Sequence, residues 1–109
     1  MERAVVEVAV NVPLTRLFHY EVPQELEGKL ELGHRVLVPF GRQVTTGICV
    51  GFPRSAGVSE LKAIRRVLHP DCRFDSHLLE LTRWVADYYR AGWGEVLEAA
   101  LPPPIRSGR

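Results

Sequence analysis

Residues 3–12 constrain the fold more than any other stretch. Ala4, Val6, Val8, Val10 and Val12 fall on one side of an extended chain, and Val5, Glu7, Ala9 and Asn11 on the other. Period-two alternation this rich in valine predicts a strand from about Arg3 to Val12 with one buried face. Pro13 ends it, because proline has no N–H to give a ladder. A chain that opens this way needs further strands to pair with, and the sequence supplies them. Leu17–Val22 reads as a second strand, stopped by Pro23, and the polar stretch from Gln24 to Gly33 as a loop. Arg35–Val38 is a third strand, Pro39-Phe40-Gly41-Arg42 a turn, and Val44–Phe52 a fourth strand in which Gly47 and Gly51 mark bulges or close backbone approach. A Ser/Gly/Pro loop over Pro53–Ser59 leads to a fifth strand at Glu60–Leu68.

The period then changes. Behind Asp75 or Ser76, either a competent N-cap, Leu78, Leu81, Val85 and Tyr88 recur at helical spacing, with Trp84 and Tyr89 widening the stripe. This predicts a helix of roughly four turns ending near Arg90, with Gly92 as its C′ residue. A short second helix follows at about Glu95–Ala100. The expected fold is α+β: a small barrel-like (OB-like) sheet of about five strands, then a C-terminal helix and a short second helix. Residues 1–101 form the domain. Pro102-Pro103-Pro104 and the polar tail to Arg109 read as a proline-rich linker, 102–109.

Composition excludes several functions. The chain has 109 residues, 14 basic and 13 acidic, for a net charge of +1. A general duplex-coating protein carries more excess positive charge, although a local basic site is compatible with this balance. All the basic residues except Lys29 and Lys62 are arginine, which favours forked hydrogen bonding. No apolar run approaches the about 20 residues of a membrane helix, and no signal-peptide h-region is present, so the expectation is a cytoplasmic protein without a membrane partner. The residues contain no phosphate loop, GxGxxG fingerprint or GxSxG elbow. Cys49 and Cys72 make no disulfide framework. His69, Cys72 and His77 lie close together but match no zinc spacing, so no metal site is expected. No nucleophile–base set emerges, and no catalytic residue is assigned.

The aromatic residues carry more information. Phe18 and Tyr20 share one face of a short strand and His19 takes the other. The rings fill the core, or they offer a surface on which a base stacks, worth roughly 1–3 kcal/mol per base. Gly41 either serves a hairpin or lets backbone approach a ligand beside Phe40. Lys62 either reaches a phosphate or is a solvated strand-edge lysine. Trp84 and Tyr88 are expected to pack the helix on the sheet. In the rival reading the Trp84, Tyr88, Tyr89 and Trp93 region docks another protein.

Several short segments together resemble one family. They are Val10-Asn11-Val12-Pro13-Leu14, Leu17-Phe18-His19-Tyr20, Arg35-Val36-Leu37-Val38-Pro39-Phe40-Gly41-Arg42, Leu61-Lys62, Ala86-Asp87-Tyr88-Tyr89, Gly94-Glu95-Val96-Leu97 and Ala100-Leu101-Pro102. In this order, over nearly the whole chain, they are similar to the N-terminal DNA-binding domain of the primosomal replication-restart helicase PriA (primosomal protein N′). The resemblance implies a module that binds the 3′ end of the nascent leading strand at stalled or branched forks. It implies a site built from Phe18, His19, Gly41 and Lys62, with Tyr20, Phe40, Arg16 and Arg42 as supporting contacts. It also implies that a helicase core, with its ATP, Mg and Zn, lies elsewhere in a longer polypeptide, and that this domain itself takes no cofactor. The implied partners are forked DNA, that core, primosome proteins and single-stranded DNA-binding protein, in a bacterial cytoplasm at the nucleoid. This chain departs from the family at one point. His19 stands where the family often carries Asp, which contacts the terminal 3′-hydroxyl. A carboxylate accepts from a hydroxyl with full charge assistance, whereas a neutral imidazole accepts through one nitrogen only.

Overall fold

The computed structural model describes residues 4–54 and 61–101. Five strands and two helices follow in chain order: β1 (Val5–Val10), β2 (Phe18–Glu21), β3 (His34–Phe40), β4 (Gln43–Gly51), β5 (Arg66–Arg73), α1 (Ser76–Tyr89) and α2 (Trp93–Ala99). The strands form one antiparallel sheet in the order β2-β1-β4-β3-β5. This is the α+β architecture read from the sequence. The linker expected at 102–109 and the start of the expected fifth strand, Glu60, lie outside the described residues.

Both faces of the sheet are covered. Val6, Val8, Val10, Tyr20, Val36, Val38, Cys49 and Ile64 fill the inner, concave layer. Ala9 and Ile48 turn the other way and meet Phe74, Leu79, Ala86, Trp93 and Leu97 under the helices. β1 is therefore buried on both sides, with Val5, Val8 and Ala9 all inaccessible, rather than on the one side its alternation suggested. Small residues make this possible. α2 crosses β1 at Gly94, where a Cβ would stand 2.1 Å from the Val10 carbonyl oxygen.

The sheet curls without closing into a complete ladder. Glu21, on the β2 edge, accepts from the Ile64 N–H at 3.1 Å and donates its own N–H to the Lys62 carbonyl at 2.9 Å. This is a single parallel bridge, Glu21 to Ala63. Arg65 N–H then reaches the Leu37 carbonyl on β3 at 2.7 Å. Residues 62–65 thus pass from one edge of the sheet to the other, and the ladder of β5 begins only at Arg66. The expected strand over Glu60–Leu68 is displaced for this reason. β5 instead runs past Pro70 to Arg73, bulging between Leu68 and Arg73, which pair with the consecutive Arg35 and His34. Proline is tolerated there because the strand is an edge and the bulge asks for no ladder donor. His34 anchors the bulge. Its Nδ1 accepts from the Glu31 N–H at 3.0 Å and its Nε2–H donates to the Pro70 carbonyl at 2.9 Å.

Asp75 caps α1 by accepting from the Leu78 N–H at 2.8 Å. Arg90, not Gly92, takes the left-handed position at the end of α1, and Gly92 is the N-cap of α2. The buried face of α1 is Leu79, Thr82 and Ala86. Leu81, Trp84, Tyr88 and Tyr89 are 52–70% exposed, so the expected packing of Trp84 and Tyr88 on the sheet does not occur. Thr82 lies on the buried face instead and donates its hydroxyl to the Leu78 carbonyl at 2.8 Å. Its oxygen accepts from the Trp93 indole N–H at 3.0 Å and joins the two helices.

α2 is fixed to the sheet by a buried fork. Arg35 on β3 donates Nε–H to Glu98 Oε2 at 3.0 Å and Nη2–H to Oε1 at 2.7 Å. Both side chains are at most one-tenth exposed. Removing one partner of such a pair strands a buried charge, at a cost of about 3–5 kcal/mol. Glu98→Ala is expected to lower the unfolding free energy by that amount in urea titrations followed by far-ultraviolet dichroism. A change below about 1 kcal/mol would show that the pair is not what holds α2.

Candidate nucleic-acid interface

The curl of the sheet builds a cavity of about 260 Å³ between the β2 edge, the β3–β4 hairpin and the segment ahead of β5. Phe18, His19, Tyr20, Pro39, Phe40, Gly41, Leu61 and Lys62 line it. All four primary residues of the expected site are in this set. So are two of the four supporting ones, Tyr20 and Phe40. A larger cavity of about 460 Å³ lies along the β5 bulge and α1, and none of the expected residues borders it.

Each side chain has a local reason for its place. Phe18 and Phe40 meet edge to face, ring centroids 5.0 Å apart at 86°, and both are half-buried. One ring of the pair buttresses the other while leaving part of each accessible to a ligand. Pro39 and Phe40 belong to β3, not to the turn. The hairpin loop is only Gly41-Arg42, with φ of +62° at Gly41 and no positive φ at Arg42, the distribution a type II′ turn needs. Nothing lies within 4 Å of where a Gly41 Cβ would be, so the open side of the loop faces solvent and a ligand can approach its backbone. Lys62 donates from Nζ to the Gly41 carbonyl at 3.3 Å, and the ammonium is thereby held at the mouth of the cavity.

Arg16 and Arg42 stand outside the cavity lining. The Arg16 guanidinium lies over the Phe18 ring, 4.8 Å from its centroid. Arg42 is exposed next to Gly41. Arg16 over Phe18 and Lys62 at the Gly41 carbonyl thus put two positive charges at the edge of the cavity on a chain of near-zero net charge. Among the described residues no group of three or more His, Cys, Asp or Glu side chains could hold a metal.

Tyr20 forms the inner wall. Its hydroxyl donates to the Pro39 carbonyl at 2.7 Å, and burial pushes its pKa up to about 12. Burial also pushes the Cys49 thiol up to about 12, against a lowering by its backbone hydrogen bond at Gly51. Cys49 is a core residue and takes no part in the site.

Sequence reasoning did not single out Leu61 or Pro39, which also line the cavity, and Pro39 supplies the acceptor for Tyr20.

A family model for the 3′DNA-binding domain (3′BD) of PriA matches residues 7–102, which include every residue of this cavity. The chain belongs to the PriA 3′BD family. It is 44% identical to the replication restart protein PriA of Haemophilus influenzae over 95% of its own length. It is 31% identical to that of Treponema pallidum over 88%, and 27% identical to that of Bacillus subtilis over 93%. The chain spans only 14%, 16% and 13% of those relatives' lengths. It is a DNA-binding domain of the replication-restart family. No helix among its described residues is long and apolar enough to cross a membrane.

The buried Tyr20 gives a test of the cavity wall. Its proton is held more tightly in the folded than in the unfolded chain. The resulting stability is fully present below pH 10 and is lost as pH rises through about 12. Tyr20→Phe is expected to lose about 1 kcal/mol at pH 8, from the missing bond to Pro39. It should also remove about 2 kcal/mol of the parent's decline between pH 10 and 12. Urea unfolding of both chains across that range checks this, and parallel pH curves would contradict it.

Proposed function

We propose that this domain captures the 3′ end of the nascent leading strand at stalled or branched replication forks and so orients a restart helicase carried on the same polypeptide. The observation that carries the reading is the convergence of Phe18, Gly41 and Lys62, distant in sequence, on one small open cavity. Phe18, braced by Phe40, offers a face on which any terminal base stacks. Gly41 offers backbone without a side chain in the way. Lys62 offers a point charge to a phosphate. A cavity of this size admits about one nucleotide and reads shape, hydroxyl and backbone, not sequence. Few phosphates are engaged, which fits the net charge of +1 and predicts a shallow salt dependence, about −0.7 in log K per phosphate for single strands. The domain's task is binding and orientation, and ATP-driven translocation belongs to the remainder of the longer polypeptide.

A second role has an observation of its own. Trp84 and Tyr88 stack on the outer face of α1 with centroids 5.4 Å apart, Tyr89 meets Tyr88 edge to face, and all three are exposed. Clustered exposed aromatics favour a protein contact. This supports docking to the helicase core or to a primosome protein, on a surface separate from the cavity and compatible with its use.

Fluorescence anisotropy with a fork whose leading-strand arm ends in a 3′-hydroxyl, against the same fork ending in 3′-phosphate, tests the principal reading. The hydroxyl end is expected to bind more tightly. Lys62→Ala is expected to weaken it about tenfold or more, since a charge-assisted contact is worth roughly 1.5–3 kcal/mol. Equal binding of both forks, unchanged by Lys62→Ala and Phe18→Ala, would leave the docking role as the better account.

A further inference from the structure

We infer that one continuous surface, from the larger cavity beside Leu101 along the outer face of α1, seats the helicase core of the same polypeptide. The inference rests on the docking role proposed above and commits it to one occupant, held in cis. Leu68, His69, Cys72, Phe74, Leu78 and Leu101 are among the residues that line the cavity of about 460 Å³. Leu68 and Phe74 are buried there, and Cys72 is an exposed free thiol. His69 holds a left-handed φ of +50°, and its Nε2 is buried with no hydrogen-bond partner among the described residues. Native chains seldom leave a buried polar atom so, and a polar group of a docked partner satisfies it.

Leu78 joins the cavity to the stripe on α1. Leu81, Trp84 and Tyr88 follow it at helical spacing, so the four lie along one side of the helix. At 1.5 Å per residue the row runs about 15 Å from Leu78 to Tyr88. Leu81, Trp84, Tyr88 and Tyr89 are all more than half exposed. Glu80 and Asp87 are exposed on the same helix, and the Arg83 guanidinium is turned onto the Trp93 ring, 4.9 Å from its centroid. Such a surface suits a protein and not a phosphate backbone. Where the chain leaves the domain decides between protein occupants. The family region ends at residue 102, and Leu101 lines the cavity. The chain spans only 14% of the Haemophilus influenzae relative, so most of such a polypeptide lies outside this domain. A neighbour joined through the proline-rich linker meets the surface at an effective concentration on the order of millimolar, which a free primosome protein does not reach. The two cavities share no lining residue, yet β3 touches both, with Arg35 at this one and Phe40 at the 3′-end cavity. A core seated here leaves the 3′-end cavity open and fixes its direction through one strand.

The test compares the domain with the full-length polypeptide, both without DNA. Hydroxyl-radical footprinting read by mass spectrometry reports on Trp84, Tyr88 and Tyr89, and N-ethylmaleimide labelling reports on Cys72. In the full-length chain all four are expected to react about fivefold or more slowly, as side chains exposed in the domain enter an interface core. Phe18 and Phe40 are expected to react equally in both. The protection is expected to persist over about a hundredfold dilution, which a seat for a second copy would not allow. Tyr88→Asp, on an exposed face where substitutions seldom disturb a fold, is expected to return Trp84 and Cys72 to the rates of the domain. Protection that is lost on dilution, or that Tyr88→Asp leaves intact, overturns the cis seat. A full-length chain that reacts as fast as the domain overturns it too. If a purified primosome protein then slows the reaction, the docking role stands without the cis seat, and if none does, both fall.

Discussion

The two main-chain hydrogen bonds between Glu21 and the Lys62–Ile64 segment decide where the rest of the molecule sits. β2 is an edge strand of only four residues, and without this bridge its outer edge would face solvent as unpaired N–H and carbonyl groups. With it, the sheet curls until its first edge meets the chain that feeds its last strand. Ile64 is drawn into the inner layer, 2% exposed, and its neighbour Lys62 is left outside at the mouth of the cavity. The Lys62 ammonium then finds the Gly41 carbonyl at 3.3 Å, on the β3–β4 hairpin. The site is thus a by-product of curling. It lies where three segments meet, and no one of them contains it.

The helical layer serves this arrangement from the other side. Gly94, lacking a side chain, lets α2 approach β1 closely, and the Arg35–Glu98 fork ties it there. The fork is a costly way to hold a helix, since both charges leave water, and its bidentate geometry is what makes it tolerable. The inner layer stays free of charged groups. Arg16 over Phe18, Lys62 at the Gly41 carbonyl and the Glu7–His19 pair on the outer face of β1 and β2 keep their charges outside that layer. Stability and recognition therefore use separate residues almost throughout. Phe18, Phe40 and Tyr20 are the exceptions, because their rings pack on the inner core, and the Tyr20 hydroxyl fixes the Pro39 carbonyl at the cavity wall.

Much of the fold was legible in local pattern. Alternating valines marked β1, prolines marked the ends of β1 and β2, and Asp75 marked the start of α1. What local pattern could not show was which partners compete for a segment. Residues 61–65 alternate like a strand, yet they divide their hydrogen bonds between β2 and β3 before any ladder begins. The apolar stripe on α1 misled in a more instructive way. Leu81, Trp84 and Tyr88 repeat at helical spacing, but the face that packs is Leu79-Thr82-Ala86, the face that meets α2 through the Thr82–Trp93 hydrogen bond, and the large aromatics stay exposed. The site residues emerged from family resemblance and not from spacing, since Phe18, Gly41 and Lys62 come together only through the curl. The Glu7–His19 contact was legible in neither, because the two are cross-strand neighbours and register is settled only when the strands are paired.

The central claim is that a terminal nucleotide is held at the cavity formed by β2, the β3–β4 hairpin and Lys62. The most direct measurement is a nitrogen–proton correlation spectrum of the labelled domain during titration with a short single strand ending in a 3′-hydroxyl. The account predicts shifts concentrated at the amides of Phe18, His19, Tyr20, Gly41 and Lys62, with the exposed face of α1 unmoved. Shifts centred on α1 or the β5 bulge, with the cavity amides unchanged, would contradict it.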